Sequence, residues 1–173
     1  MTLNVVHPYI YRLQGEDLVM GEIPEFTQRD IKIGNLVKTF LDSNRKVIWH
    51  QEFVSHIQSL VSEVAVVSDS QLGVLGDSRV IHVSTDIQGV PFSDSYLEIK
   101  ENCYFIGGLF EACLANLMGV HYSLRGPSGK GIFYIPELCV SRDTGKYSAV
   151  EKKILALGIK PIPYEDALKR NSN

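Results

Sequence analysis

Cys113 and His121 are the residues of this chain whose types best suit nucleophilic catalysis, because a thiolate needs a proton acceptor nearby. They lie eight residues apart across the end of a predicted helix. Cys113 falls on an apolar stripe, where a thiol stays protonated, and Cys103 is nearer to a helix N-terminus. We therefore interpret Cys113 as a small buried hydrophobic residue. The alternative is an enzyme with a dispersed active site that uses Cys113, His121, His82 and a loop carboxylate.

The segment 126–131 contains a Gly-Lys pair but departs from a phosphate-binding loop. Such a loop has Ser or Thr after the lysine and a glycine five residues before the Gly-Lys pair. Here a glycine follows Lys130, and Leu124 occupies the earlier position. The segment is therefore interpreted as a turn.

The histidines do not show the spacing of a metal site. His50 and His56 are the closest pair, six residues apart, which places them on different faces of a helix. Acidic residues between 69 and 98 lie in predicted loops, where solvated carboxylates are common. We predict no metal site, and no cofactor is indicated.

Aromatic side chains offer walls for an apolar ligand, although aromatic residues in such positions are first of all core residues. The predicted ligand-binding residues combine these walls with the two chemically active side chains. They are Trp49, His82, Phe110, Cys113, His121 and Tyr122.

Composition limits the partners and the compartment. The chain has 173 residues, 45% of them hydrophobic, and a formal net charge of −3, which removes the electrostatic case for nucleic-acid binding. No apolar run approaches the ~20 residues of a membrane span, and the N-terminus lacks a basic stretch followed by an apolar core. Three cysteines without a C-x-x-C motif favour a reducing compartment, so a cytoplasmic protein is expected.

The spacing of apolar residues predicts a single domain over 1–173. An N-terminal hairpin at about 1–24 precedes an amphipathic helix with a stripe from Ile33 to Leu41. A second helix with a stripe from Phe53 to Val64 and a strand near Arg79–Ser84 follow.

In the second half, apolar spacing predicts a helix over Cys103–Met118 that contains Gly107 and Gly108. Two strands, Val120–Leu124 and Ile132–Ile135, would then form a hairpin. A C-terminal helical extension at about 146–173 starts at a capping box on Ser148. Together these elements predict an α/β (α+β) domain with a small antiparallel sheet and amphipathic helices packed on it.

The stretch Glu101–Leu124, with its glycine-bearing predicted helix leading into a predicted hairpin, resembles the C-terminal half of 4-vinyl-reductase-like domains and of TRAPP small subunits. It lacks the Glu-then-Cys pair of the ligand-sensing bacterial members, so no catalytic or metal residue is carried over. The resemblance implies a non-catalytic binding or assembly module that dimerises through its helices. It also implies that a hydrophobic small molecule is held between helix and sheet.

These observations together predict a homodimer, or association with a related chain, through one of the two N-terminal helices. Each helix presents an apolar stripe, and a small sheet has only two faces to cover. The other predicted partner is an apolar small molecule, with no nucleic acid and no membrane span.

Overall fold

The computed structural model describes residues 1–7, 12–14, 17–19, 27–52, 76–85, 91, 101–125, 131–141 and 143–171. The strands are β1 (Thr2–Val6), β2 (Arg12–Gln14), β3 (Asp17–Val19), β4 (Lys46–Glu52), β5 (Val80–Thr85), β6 (Cys103–Gly108), β7 (Ile132–Val140) and β8 (Lys160–Pro161). The helices are α1 (Thr27–Asp42), a π-helical turn (Phe110–Leu114), α2 (Ala115–Arg125), α3 (Thr144–Ala156) and α4 (Tyr164–Asn171).

Six of these strands form one sheet in the order β5-β4-β1-β6-β7-β8, and every pairing in it is parallel. The fold is therefore α/β with helices between parallel strands, and the predicted small antiparallel sheet is wrong. The central strands β1 and β6 are buried along their whole length. Strands covered on both faces lose the alternation of apolar and polar residues that identifies a strand in sequence.

The prediction of a single helix over Cys103–Met118 is wrong. Residues 103–108 form strand β6, and the helical structure starts at Phe110. Ile106, Phe110 and Cys113 happen to have helical spacing across the junction between the two elements. Residues 120–124, predicted as a strand, belong to helix α2. The predicted antiparallel hairpin is consequently a helix followed by β7, which includes the predicted strand Ile132–Ile135.

The N-terminal region divides between two sheets. Val5 and Val6 belong to β1, in the centre of the parallel sheet, while β2 and β3 pair antiparallel with each other. The predicted strand near Arg79–Ser84 is present as β5. The second predicted helix, 53–64, and the turn at 126–130 lie outside the described residues.

Helices cover both faces of the parallel sheet and create two buried clusters. The first cluster, beneath α1 and α4, includes Leu3, Val5, Phe40, Val47, Trp49, Tyr104, Ile106 and Ala167. The second cluster, beneath α2 and α3, includes Val6, Ile48, Phe105, Phe110, Cys113, Leu117, Tyr134 and Ile154. Below, the two sides are called the α1/α4 face and the α2/α3 face.

Helix α1 buries its apolar stripe within this chain. Ile33, Leu36, Val37, Phe40 and Leu41 are each at most 2% exposed in the first cluster. The expected homodimer or pairing with a related chain through this helix is therefore not supported, because the stripe that motivated it is already covered.

The C-terminal segment crosses the sheet edge. Helix α3 begins at Asp143, whose carboxylate accepts a hydrogen bond from the Lys146 amide, rather than at the capping box predicted on Ser148. Strand β8 then pairs with β7, and α4 packs under the sheet. Among the residues that the structure describes, no helix is long and apolar enough to cross a membrane.

Candidate active site

The strand order reverses between β1 and β6. From β1 the chain builds outward through β4 and β5 on one side, and from β6 through β7 and β8 on the other. In open parallel sheets, ligands bind in the crevice outside the carboxyl ends of the strands where the order reverses. The candidate site therefore lies where β1 ends at Val6 and β6 ends at Gly108.

The backbones of β1 and β6 approach closely at this crevice. Gly107 has a φ of +112°, and a Cβ placed on it would overlap the carbonyl oxygen of Val6. At Gly108 an added Cβ would lie 3.1 Å from the Cβ of Val140 on the other neighbouring strand. Glycine is required at Gly107 because an L side chain has neither the conformation nor the space.

Cys113 lies in the π-helical turn that directly follows β6. The amides of Ala112 and Leu114 both donate to the carbonyl oxygen of Leu109, at 3.1 Å each, which closes the turn. The Cys113 side chain is 9% exposed and packs in the same cluster as Val6, the last residue of β1. This arrangement puts a thiol at a helix N-terminus, where amide dipoles favour a thiolate.

His7 follows the last residue of β1 and points toward the end of β5. Its Nε2 lies 2.8 Å from Oγ1 of Thr85, and its side chain is buried. Its backbone has a φ of +38°, a left-handed conformation that is rare outside glycine and is often found at functional sites. A buried imidazole oriented by a hydroxyl is thus present at the crevice.

Further inside the α2/α3 face, three buried polar side chains lie together. Nε2 of His50 is 3.0 Å from Oδ1 of Asn4, and the His121 ring makes an edge contact with Phe105 at 5.0 Å between centroids. In the described part of the chain, Nδ1 of His50 and both ring nitrogens of His121 have no hydrogen-bond partner. We call Asn4, His50 and His121 the buried polar cluster.

The histidines of this cluster are held neutral. Burial, with a smaller contribution from the neighbouring His121 and His7, lowers the pKa of His50 to about 3. Burial and then the Arg125 charge lower the pKa of His121 to about 4. Both effects penalise the charged imidazolium, so both rings are uncharged at neutral pH.

The structure divides the predicted ligand-binding residues between the two faces. Trp49 lies in the cluster of the α1/α4 face, and His82, its register partner on β5, is exposed. Phe110, Cys113 and His121 lie on the α2/α3 face, and Tyr122 is partly buried beside them. His121 is two helical turns beyond Cys113, about 12 Å along the axis at 1.5 Å per residue.

Sequence reasoning missed His7 and Thr85. His7 directly follows β1 and Thr85 is the last residue of β5, and neither belongs to a recognisable motif. Both are polar residues at or directly after the end of an apolar run. This pattern indicates a shared site only when the strands are known to be parallel, because their carboxyl ends then lie at one edge of the sheet. No group of three or more His, Cys, Asp or Glu side chains within the described ranges is arranged to hold a metal ion.

Neither a protein-family model nor a curated protein matches this sequence. Solved structures do match the fold. The nicotinamidase of Staphylococcus aureus aligns with a TM-score of 0.64 at 15% identity, over 93% of this chain and 97% of that one. The N-carbamoylsarcosine amidase of Thermoplasma acidophilum gives 0.66 at 10%, over 94% and 95%. An isochorismatase family protein of Desulfovibrio vulgaris gives 0.69 at 13%, over 98% of each chain.

The chain has the fold of these proteins. The resemblance to 4-vinyl-reductase-like domains and TRAPP small subunits is therefore wrong, since it depended on a helix and a hairpin that are absent from the described residues. The prediction of a non-catalytic binding module depended on that resemblance and is also wrong. The structures that share this fold include a nicotinamidase, a pyrazinamidase and an N-carbamoylsarcosine amidase.

Proposed function

We propose that this protein is a hydrolase that cleaves a small amide with Cys113 as the nucleophile. The observation that carries the proposal is the position of Cys113 in the first turn of helix after β6, whose Gly107 pairs with Val6 at the end of β1, where the strand order reverses. The fold shared with a nicotinamidase and an N-carbamoylsarcosine amidase supports amides as the substrate class.

His7 is the general base of the proposed reaction. It lies at the end of the strand that neighbours β6, and Thr85 orients its ring through the 2.8 Å contact at Nε2. His121 was the other candidate base, but it lies about two helical turns from Cys113, which exceeds the reach of a direct proton transfer. His121 is therefore assigned to the buried polar cluster.

The reaction would proceed through a thioester. His7 takes the proton of the Cys113 thiol, and the thiolate sulfur attacks the amide carbon. Backbone amides of the first helical turn, other than those of Ala112 and Leu114 that donate to Leu109, stabilise the oxyanion. The C–N bond breaks as the nitrogen receives the proton from His7. Water, deprotonated by His7, then cleaves the thioester to release the acid and regenerate the thiol.

The test is ammonia release from nicotinamide and from N-carbamoylsarcosine by the purified chain. We expect turnover by the wild type and a loss of at least about 10³-fold in Cys113→Ser, the scale seen when a nucleophile is removed. Cys139→Ser is the matched control, because Cys139 lies in β7 and its thiol donates to the Ile135 carbonyl oxygen at 3.2 Å. Activity that survives in Cys113→Ser would refute Cys113 as the nucleophile.

A wild type inactive on both amides requires a second readout, the rate of alkylation of each cysteine by iodoacetamide. Under the proposal, Cys113 reacts faster than Cys139, whose pKa is raised by burial. Inactivity on both amides, together with a Cys113 that reacts no faster than Cys139, would overturn the proposal.

A further inference from the structure

Two tyrosines and one glutamate meet beneath the turn that carries Cys113. The hydroxyl of Tyr134 on β7 donates to Oε1 of Glu151 on α3 at 2.7 Å. The hydroxyl of Tyr147, one helical turn before Glu151, donates to the same oxygen at 3.3 Å. A single carboxylate oxygen thus fixes the outer ends of two aromatic side chains from different elements.

The rings of these tyrosines enclose Phe110, the first residue of the π-helical turn. The Tyr147 ring stacks on Phe110, with centroids 4.2 Å apart and planes 29° apart, and Tyr134 contacts it at 5.2 Å. Phe110 is fully buried and lies three residues before Cys113. Ring contacts of this kind are specific in geometry as well as in burial.

A second link joins α3 to the same turn. The backbone amide of Asp143 donates to Oε1 of Glu111, the residue after Phe110, at 3.3 Å. Asp143 also caps α3 by accepting from the Lys146 amide at 3.0 Å. The N-terminus of α3 is therefore attached to the turn at two adjacent residues, Phe110 and Glu111.

The hydroxyls remain donors throughout the accessible pH range. Burial first, and then the nearby Glu151, raise the pKa of Tyr134 and of Tyr147 well above the ordinary value of 10. Charge-assisted hydrogen bonds to a carboxylate are shorter and stronger than neutral ones, which fits the 2.7 Å distance from Tyr134.

We propose that Glu151 is a positioning residue for Cys113: it holds Tyr134 and Tyr147, whose rings hold Phe110 and so place the thiol at the crevice. This inference rests on the proposed function for its catalytic consequence. The placement of the turn is a property that can be measured on the thiol itself, with or without turnover.

The test replaces Glu151 by Leu, which removes the accepting oxygen while keeping a similar volume, and by Gln, whose amide oxygen still accepts. We expect Glu151→Leu to lower kcat about tenfold or more, since small misplacements of reacting groups have effects of that size, with KM within about twofold. The alkylation rate of Cys113 should fall in parallel. Glu151→Gln should restore most of both rates. Glu165→Leu, an exposed position on α4, is the matched control.

A purely structural role predicts a different result. Glu151→Leu would then melt at a lower temperature yet retain the wild-type alkylation rate at Cys113 and the wild-type kcat below its melting transition, which would overturn the proposal. Equal damage from Glu151→Gln and Glu151→Leu would also overturn it, because the acceptor would not be the feature that matters. If Cys113→Ser keeps its activity, the proposed function fails while the alkylation comparison still decides the positioning.

Discussion

The two faces of the parallel sheet are built from different kinds of side chain. On the α1/α4 face, the buried side chains supplied by the described strands are hydrophobic, with Tyr104 between Phe40 and Phe133. On the α2/α3 face, the strands also bury Asn4, His50 and Thr85. The strands contribute only hydrophobic burial to the first face, whereas on the second face they give up part of that stability to place polar groups under the crevice. Their responses to mutation and to pH should therefore differ.

The largest expected effect is on the hydrophobic face. Phe40 is fully buried and contacts the Tyr104 ring edge-on at 5.5 Å. Phe40→Ala should lower the free energy of unfolding by about 3–5 kcal/mol, the usual range for deleting a buried aromatic ring. Urea unfolding at pH 7.5 and pH 5.5 should give the same loss at both values. Ile31→Ala, at an exposed position of α1, is the control and should change little. A loss that depends on pH would break the contrast between the faces.

The second effect belongs to the polar face and appears on acidification. Because the pKa values of His50 and His121 are lowered to about 3 and about 4 in the folded chain, the unfolded chain takes up protons first as the pH falls. Stability decreases as the pH falls below about 6.5, and the loss continues down to about pH 4 for His121 and about pH 3 for His50. At pH 5 linkage gives a loss of about 2 kcal/mol for each histidine.

Urea midpoints measured across pH 4.5–7.5 test this expectation. His121→Phe should halve this loss at pH 5, since it removes one of the two rings whose pKa is lowered and keeps an aromatic contact with Phe105. The exposed His82→Gln should leave the pH dependence as it is in the wild type. Acid sensitivity unchanged in His121→Phe would show that other groups cause it.

The smallest effect concerns the helix that covers the polar face. Asp143→Ala removes the side chain that accepts from the Lys146 amide and should lower the melting temperature by about 2–4 °C. Ser148→Ala, at the capping box predicted from sequence, should have almost no effect, because Ser148 lies inside α3 and is exposed.

The loss of stability in Asp143→Ala should depend on pH differently from the acid destabilisation caused by His50 and His121. Hydrogen bonds from the Lys146 amide, and then from its ammonium group, lower the pKa of Asp143 below its ordinary value. Its contribution is therefore constant from pH 7.5 down to about 4.5 and is lost at lower pH. Equal changes in melting temperature for Asp143→Ala and Ser148→Ala would refute Asp143 as the N-cap of α3.

Helix α1 and strand β5, which each alternate buried and exposed residues, were predictable from sequence, whereas strand β6, covered on both faces, was not. Helix α1 alternates between the buried stripe of Leu36 and Phe40 and exposed residues such as Lys38, so its period was visible. Strand β6 is apolar or glycine throughout, and the spacing of its residues relative to Phe110 matched that of a helix. Without β6, the parallel sheet and its topology could not be derived.

The candidate site was only partly predictable, because the positions of its residues depend on β6 and on the strand order. Cys113 attracted attention through its residue type, but its position at the head of a helix became visible only after β6 was separated from that helix. His7 is a single histidine after a short apolar run, and its relation to Thr85 spans 78 residues of sequence. Contacts of that range depend on strand order, which no local pattern encodes.

The close approach at Gly107 has a consequence for how this chain diverges over time. Any residue with a Cβ would overlap the Val6 carbonyl oxygen, so selection for folding alone is enough to retain this glycine. Under the proposed function, selection for chemistry acts instead on Cys113 and His7, positions where the backbone accommodates a side chain. Descendants that have lost the reaction should therefore keep the glycine and change the cysteine or the histidine, so that these two positions, and not the glycine, separate active from inactive lineages.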